Sequence, residues 1–384
     1  MVYLDYNATA PLDLVLKDQW LELIERSNAN PSSLHRAGRR ARSLINQAQD
    51  LLAEYLDCDA EFIYFTSGGS EANTWAVYSA CRTFQLKFPN QPLRLLVSAI
   101  EHDSVMLAAQ WACEVFGAEI YTLPVLSSGL VDLERFKDQL TCSGPFALVS
   151  VMAANNETGV VQPLKEIFAF TSANDTPLHV DAVQVLGKVP YSIRSIPARY
   201  TTFSFHKIGA PKGTGALVVQ GRGQILFPLV TGKQQKTLRG GTENALGLGA
   251  LMAVLKHHRS NQIFPTQQLQ QWRDQFEDTL QKIVPGVRVF GKEAPRLPNT
   301  SYLGFEGIDG DGLLLNLDLA GIACSSGSAC SSGSVDPSPV LKAMQVNDAV
   351  ARSAIRLSSG PQTTWQDYQT VLDVVPEIIS RMRS

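Results

Sequence analysis

The chain has 384 residues, of which 45% are hydrophobic and 18% charged. This balance excludes a disordered or fibrous chain and leaves room for two or more domains at roughly 150 residues each. With 33 Lys+Arg against 36 Asp+Glu the formal net charge is -3, which argues against nucleic acid or an anionic membrane surface as the main partner.

The opening, Met1-Val2-Tyr3-Leu4-Asp5-Tyr6, has no basic region ahead of a long apolar stretch, so it does not read as a secretory signal. From about Leu14 to Val254, helix-like stretches alternate with short β-rich runs. The expected strands are Phe62–Thr66, Leu95–Ala99, Glu119–Leu123, Ala147–Met152, Pro177–Asp181, Tyr200–Phe205 and Gly215–Val219. Several are nearly continuous apolar runs, as in strands buried on both faces, and their spacing predicts a largely parallel sheet. Ala245 to Leu255 is apolar but shorter than the ~18 residues a membrane helix needs. After Lys256 the pattern predicts a helix over Phe264–Ile283, strands at Val287–Phe290 and Tyr302–Phe305, and helices at Gly310–Ala320 and Thr364–Arg383. The expected organisation is an α/β domain over 14–256, with a smaller α+β domain formed by 1–13 and 257–384. The whole reads as a soluble, cytoplasmic protein.

Six cysteines, Cys58, Cys81, Cys113, Cys142, Cys324 and Cys330, form no C-x-x-C pair, which counts against a zinc ribbon or a thioredoxin-like redox motif. Cys58, Cys81 and Cys113 sit in apolar or helical surroundings and read as small buried hydrophobes. Cys330 differs. It lies in Cys324–Pro339, CSSGSACSSGSVDPSP, where seven Ser and two Gly break all periodicity. The segment predicts a long polar tether, closed by Asp336 as a helix N-cap and Pro337 at the first helical position.

Three segments carry candidate chemistry. In Phe65-Thr66-Ser67-Gly68-Gly69-Ser70-Glu71-Ala72-Asn73 a strand gives way to small residues and then to a helical pattern, an arrangement suited to an anion such as phosphate. The P-loop spacing is absent. The segments His179-Val180-Asp181-Ala182-Val183-Gln184 and Phe203-Ser204-Phe205-His206-Lys207 each put polar groups at the C-terminal end of an apolar strand, where open α/β sheets bind ligands. One strand–helix–strand step fits between Asp181 and Lys207, so the two can lie side by side. That pairing suits a Schiff-base lysine with an acidic partner for a pyridinium nitrogen; it equally suits a rim lysine and a helix-capping aspartate.

Together these segments resemble the pyridoxal-phosphate enzymes of the class V aminotransferase group, and within it the cysteine desulfurases. The resemblance runs nearly end to end. It includes Tyr3 to Thr9, Asn30-Pro31-Ser32-Ser33, Thr66 to Asn73, Glu101-His102, Asn155 to Gly159, the Asp181 and Lys207 motifs, Arg239 to Asn244, and Ser325 to Cys330. It implies a fold-type-I transferase with pyridoxal 5'-phosphate linked to Lys207, which also moves the substrate Cα proton. Asp181 looks like the partner of the pyridine nitrogen, Gln184 of the ring's phenolic oxygen, and His102 the residue that stacks on the ring and shuttles a proton. Gly69, Ser70, Ser204 and His206 match phosphate-cradling positions. Thr242 matches a residue that reaches the neighbouring subunit's phosphate, which implies a homodimer. Asn156 and Arg356 look like the grip on the substrate carboxylate, and Cys330 the thiolate that takes sulfur from L-cysteine. Sulfur acceptor proteins, such as an iron–sulfur scaffold or a tRNA-thiolation protein, are the implied partners. A selenocysteine lyase or a cysteine/cystine C–S lyase on the same fold is the alternative.

The sequence departs from the pattern at Phe205, where a small residue is usual, at Gly209-Ala210-Pro211, and at Pro361-Gln362. Phe205 is expected either to narrow the pocket or to change cofactor packing, and so to bear on catalytic rate and substrate preference. Cys324 is expected to be buried at the end of Leu319–Ile322, with a resolving thiol for Cys330 as the alternative.

Overall fold

The computed structural model describes residues 1–221, 227–258, 263–326 and 337–383. The chain opens on strand β1 (Val2–Tyr3). There follow β2 (Ile63–Thr66), β3 (Arg94–Ser98), β4 (Glu119–Leu123), β5 (Leu148–Ser150), β6 (Leu178–Asp181), β7 (Tyr200–Ser204) and β8 (Gly215–Val219). The last four are β9 (Val287–Val289), β10 (Thr300–Phe305), β11 (Ile322–Ala323) and β12 (Ile355–Ser358).

Strands β2 to β8 form one seven-stranded sheet in the order β2-β8-β7-β6-β5-β3-β4. Every neighbouring pair is parallel except the two made by β8. Both faces are buried, and the period of two shows in which side chains go where. Leu96, Val149, Ala216 and Val218 pack into one apolar cluster, while Leu95, Val97, Leu148, Leu217 and Val219 pack into the other. Helices Gly69–Lys87 and Asp103–Phe116 cover the second face through Ala72, Trp75, Ala76, Val105 and Ala108. Helix Ala245–His257 lies under the first face with Gly247 to Leu255 all buried, which is why it reads as apolar all round. Each fully buried Leu or Val contributes about 1.5–3 kcal/mol, so sheet and helices form one cooperative layer structure.

The C-terminal elements build a separate antiparallel sheet, β12-β10-β9, packed with helices Thr266–Ile283, Gly310–Leu319 and Trp365–Arg383 around Leu303, Phe305, Ile355 and Leu357. The start of the chain joins this part. Strand β1 pairs in parallel with β11, Val2 opposite Ile322. Leu4 and Tyr6 then bond the backbone of Ser358, with Ser358 N donating to Leu4 O at 2.7 Å and Tyr6 N to Ser358 O at 3.0 Å. Gly360 permits this approach, because a Cβ there would sit 2.0 Å from the Tyr6 ring. The result delivers Asp5 to Ala8 to the C-terminal ends of the central strands.

Two local expectations need correction. β6 and β7 are neighbours, with Asp181 opposite Thr202, but residues 182–199 between them form turns and no α-helix. Asp336 lies outside the described residues, and the helix that follows, Pro339–Ala343, takes Ser338 as its N-cap and Pro339 at its first position. Ser338 Oγ accepts from Val340 N and Leu341 N and donates to the buried Glu157 carboxylate. The cap therefore sits two residues later, at the serine that has both a helix and a carboxylate to satisfy.

Candidate active site

The C-terminal ends of the parallel strands surround a cavity of about 440 Å³, within the size range of small-molecule sites. Lys207, Asp181, Gln184, His102, Gly69, Ser70, Ser204, His206, Asn156 and Arg356 all line it, together with Asn7, Asn73, Glu101, Ser104 and Glu157. Each wall follows from one strand end. β2 runs into Ser67-Gly68 and the helix that starts at Gly69. A Cβ on Gly215 would lie 2.7 Å from Gly68 Cα, and one on Gly69 3.1 Å from the Val183 side chain. Glycine at these positions lets the helix start lie against the strand ends, with the N–H groups of a 19-residue helix directed at the cavity. Glu71 fixes this turn: it accepts from Ser67 N at 2.7 Å and pairs with Arg239 at 2.9 Å.

β3 leads to Glu101 and His102. His102 caps helix Asp103–Phe116, its Nδ1 lying 3.1 Å from Ser104 N and 2.8 Å from Ser104 Oγ. Burial pushes the Glu101 carboxyl up to about 8, against the hydrogen bond from Ser98, and the Asp181 charge adds to the rise. β6 ends on Asp181, whose Oδ2 accepts from Asn73 Nδ2 at 2.9 Å and whose Oδ1 accepts from Val183 N at 3.0 Å. β7 ends on Ser204 and passes into the short 3-10 turn Phe205–Ile208. There Lys207 Nζ donates to the main-chain carbonyls of Asn7 at 2.7 Å and Ala8 at 2.8 Å. His206 meets Thr9 Oγ1 at 2.9 Å. Burial, with Lys207, Lys212 and Lys188 nearby, pushes it down to about 4, so it is neutral at physiological pH. From the other side β12 brings in Arg356, 2% exposed, which donates to Asp5 Oδ1 at 2.7 Å and Asn156 O at 3.0 Å.

Two residues singled out in the sequence stand apart. Thr242 is exposed and lines a different crevice, with Thr66, Ser67, Arg239 and Glu243. Cys330 lies outside the described residues. Phe205 does not narrow the cavity: it is fully buried in the core, edge-on to Phe65 with ring centroids 6.4 Å apart. Of the other cysteines, Cys81 is buried, Cys58, Cys113 and Cys324 are half-buried, and Cys142 is exposed. Burial pushes the Cys324 thiol up to about 12, which keeps it protonated. The sequence assigns no role to Glu157, which lines the cavity, or to Lys188 and Asp5, which bond the lining residues Gln184 and Arg356.

The class V aminotransferase model matches residues 2–371 of the chain. Among curated relatives, a cysteine desulfurase IscS of Dictyoglomus turgidum is 34% identical, covering 100% of this chain and 95% of its own. A cysteine desulfurase of Nostoc sp. is 37% identical, covering 100% of this chain and 94% of its own. Among solved structures, a NifS-like protein from Rickettsia africae superimposes with a TM-score of 0.87 at 30% identity, over 99% of each chain. The chain belongs to the class V aminotransferase family and, within it, to the cysteine desulfurases, with the fold-type-I architecture.

The cofactor of this family is pyridoxal phosphate, and the cavity suits it. Asn73 Oδ1, on a side chain 1% exposed, has no hydrogen-bond partner among the described residues. Glu101 Oε2 is likewise unpartnered. Such buried polar atoms call for a group not supplied by the fold. Gly69, Ser70, Ser204 and His206 could hold a phosphate, Asp181 a protonated ring nitrogen, and Lys207 a carbonyl carbon.

Proposed function

We propose that this cysteine desulfurase converts L-cysteine to L-alanine and passes the sulfur on as a persulfide carried by Cys330. The observation that carries the reading is the convergence of Lys207, Asp181 and Arg356 on one cavity with a long helix's N-terminus in its wall. Bound pyridoxal phosphate supplies an electron sink for charge developing at the substrate Cα. Arg356 and Asn156 orient the substrate carboxylate. The Lys207 amine removes the Cα proton, and His102, ordered by Ser104, faces the same space as a second proton carrier. Asp181, held by Asn73 and Val183 N, would be the acidic partner of a pyridinium nitrogen. The Cys330 thiolate then forms a bond to the substrate Sγ. The Cβ–Sγ bond breaks, carbon keeps the electron pair and is protonated, and alanine leaves.

A homodimer is part of this reading, since Thr242 stands away from the cavity of its own chain and would serve that of a second copy. So are a large unit over 14–256 beside a smaller one of 1–13 and 257–384, and a cytoplasmic setting. Acceptors such as an iron–sulfur scaffold or a tRNA-thiolation protein would take the sulfur. Among the described residues no helix is long and apolar enough to cross a membrane. The test is to supply L-cysteine and a thiol acceptor to the purified holoenzyme and quantify alanine and transferred sulfur. Equal amounts of the two support the reading; pyruvate with free sulfide in place of alanine would overturn it.

A further inference from the structure

Lys188 is a buried amine that the chemistry above does not use. It is 0% exposed, on the turn-rich connection after β6, with the Phe264 ring centroid 5.6 Å from its Nζ. Its Nζ donates to two side-chain amides, Gln184 Oε1 and Asn7 Oδ1, each at 2.7 Å.

The hydrogen-bond network fixes which way both amides face. Asn7 O is a main-chain carbonyl and can only accept, so the Gln184 atom 3.0 Å from it is the N–H-bearing Nε2. The Gln184 atom beside Lys188 is therefore the oxygen. The same logic applies to Asn7, whose Nδ2 donates to Asn156 O at 3.1 Å, leaving Oδ1 for Lys188. Burial pushes the Lys188 pKa well below its ordinary value, and the Lys207 and Arg356 charges add to the effect. In either protonation state the amine has at least two N–H groups, one for each of these oxygens. With Oε1 turned to Lys188 and one Nε2 N–H on Asn7 O, the second N–H is the group Gln184 has left to offer a cavity occupant.

We propose that Lys188 is a positioning residue for the cofactor: it locks Gln184 as a donor toward the ring oxygen. The inference rests on the pyridoxal-phosphate reading of this site and goes beyond it by assigning the lysine that orients the donor. A lysine that served stability alone would affect any background equally. One that acts through Gln184 has nothing left to orient once that amide is gone.

The experiment is a double-mutant cycle of Lys188→Met and Gln184→Ala. It reads the pyridoxal-phosphate dissociation constant and the visible absorption maximum of each holoenzyme, with thermal melts to verify folding. Lys188→Met alone is expected to weaken cofactor binding about tenfold and shift the band; when Gln184 is already Ala it should weaken binding by less than about twofold and leave the band in place. Equal losses in both backgrounds, or wild-type binding and spectrum in Lys188→Met, would overturn the inference. If Lys188→Met does not fold, Gln184→Glu with Lys188 intact decides. Lys188 then pairs with a group that only accepts, so binding falls at least as far as in Gln184→Ala; wild-type binding would overturn the proposal. A wild-type protein that binds no pyridoxal phosphate would remove the functional reading itself, a result separate from any change within the cycle.

Discussion

Arg356 and Asp5 are 351 residues apart in the chain and 2.7 Å apart in space, guanidinium to carboxylate, at the edge of the cavity. The pair exists because β1 runs beside β11 and the next residues bond the end of β12, so the two chain ends meet over the strand ends of the central sheet. Arg356 is almost wholly enclosed while the Asp5 side chain is 21% exposed. The carboxylate thus holds the fork from the wetter side.

That geometry predicts the effect of Asp5→Asn. A hydrogen bond involving a charged group contributes about 1.5–3 kcal/mol, and here it fixes the group proposed to grip the substrate. The KM for L-cysteine is expected to rise about tenfold with a smaller change in kcat. Arg356→Ala should raise it further. Unchanged KM in both variants would show that the substrate carboxylate is held elsewhere.

Lys207→Ala removes the only amine proposed to bond the cofactor. The purified variant should lack the visible absorbance of the linked cofactor and lose alanine formation by about a thousandfold, the scale of a lost general base. A normal spectrum would reassign the linkage.

Acidification should weaken the fold through His179. Its ring is wholly buried between Ser150 Oγ at 2.8 Å and Thr202 Oγ1 at 3.1 Å, and burial pushes it down to about 4 from 6.5. Between those values the unfolded state binds more protons, so stability is complete above 6.5 and declines as the pH falls toward 4. The full difference is roughly 3 kcal/mol. Denaturant midpoints measured from pH 7 to pH 4.5 should fall more steeply for the wild type than for His179→Gln. Parallel curves would mean that His179 is not the group responsible.

Glu101 works in the opposite sense. Its carboxyl, raised to about 8, keeps its proton at pH 7 in the folded protein, so its contribution to stability is lost as the pH rises from 4.5 toward 8. Glu101→Gln mimics the protonated form. It should retain wild-type activity at pH 7 within about threefold and flatten the alkaline decline in melting temperature relative to wild type. An identical decline in the two proteins would place the titration on another group.

Much of this was legible in the sequence because it depends on local pattern. Each of the seven expected strands appears in the central sheet within a few residues of its expected ends, since strands buried on both faces leave uninterrupted apolar runs. Asp181 and Lys207 line one cavity because the adjacent parallel strands β6 and β7 end at the same level. What the sequence hid depends on distant packing. Lys188, in Val185-Leu186-Gly187-Lys188-Val189, carries no local signal of its burial, because its amine is held by Asn7 from the chain start. Phe205 stands where a small residue is usual, between Ser204 and His206 of the cavity wall, yet its ring goes to the core. The N-cap at Ser338 depends on Glu157, 181 residues away.

The most direct test of the account is alanine formation from L-cysteine under limiting reductant, in wild type and in Cys330→Ala, with mass-spectrometric search for a persulfide. The account predicts alanine and a Cys330-bound persulfide in the wild type and neither in the variant. Alanine released by Cys330→Ala at the wild-type rate would contradict it, and would describe a lyase that frees its sulfur without a protein carrier.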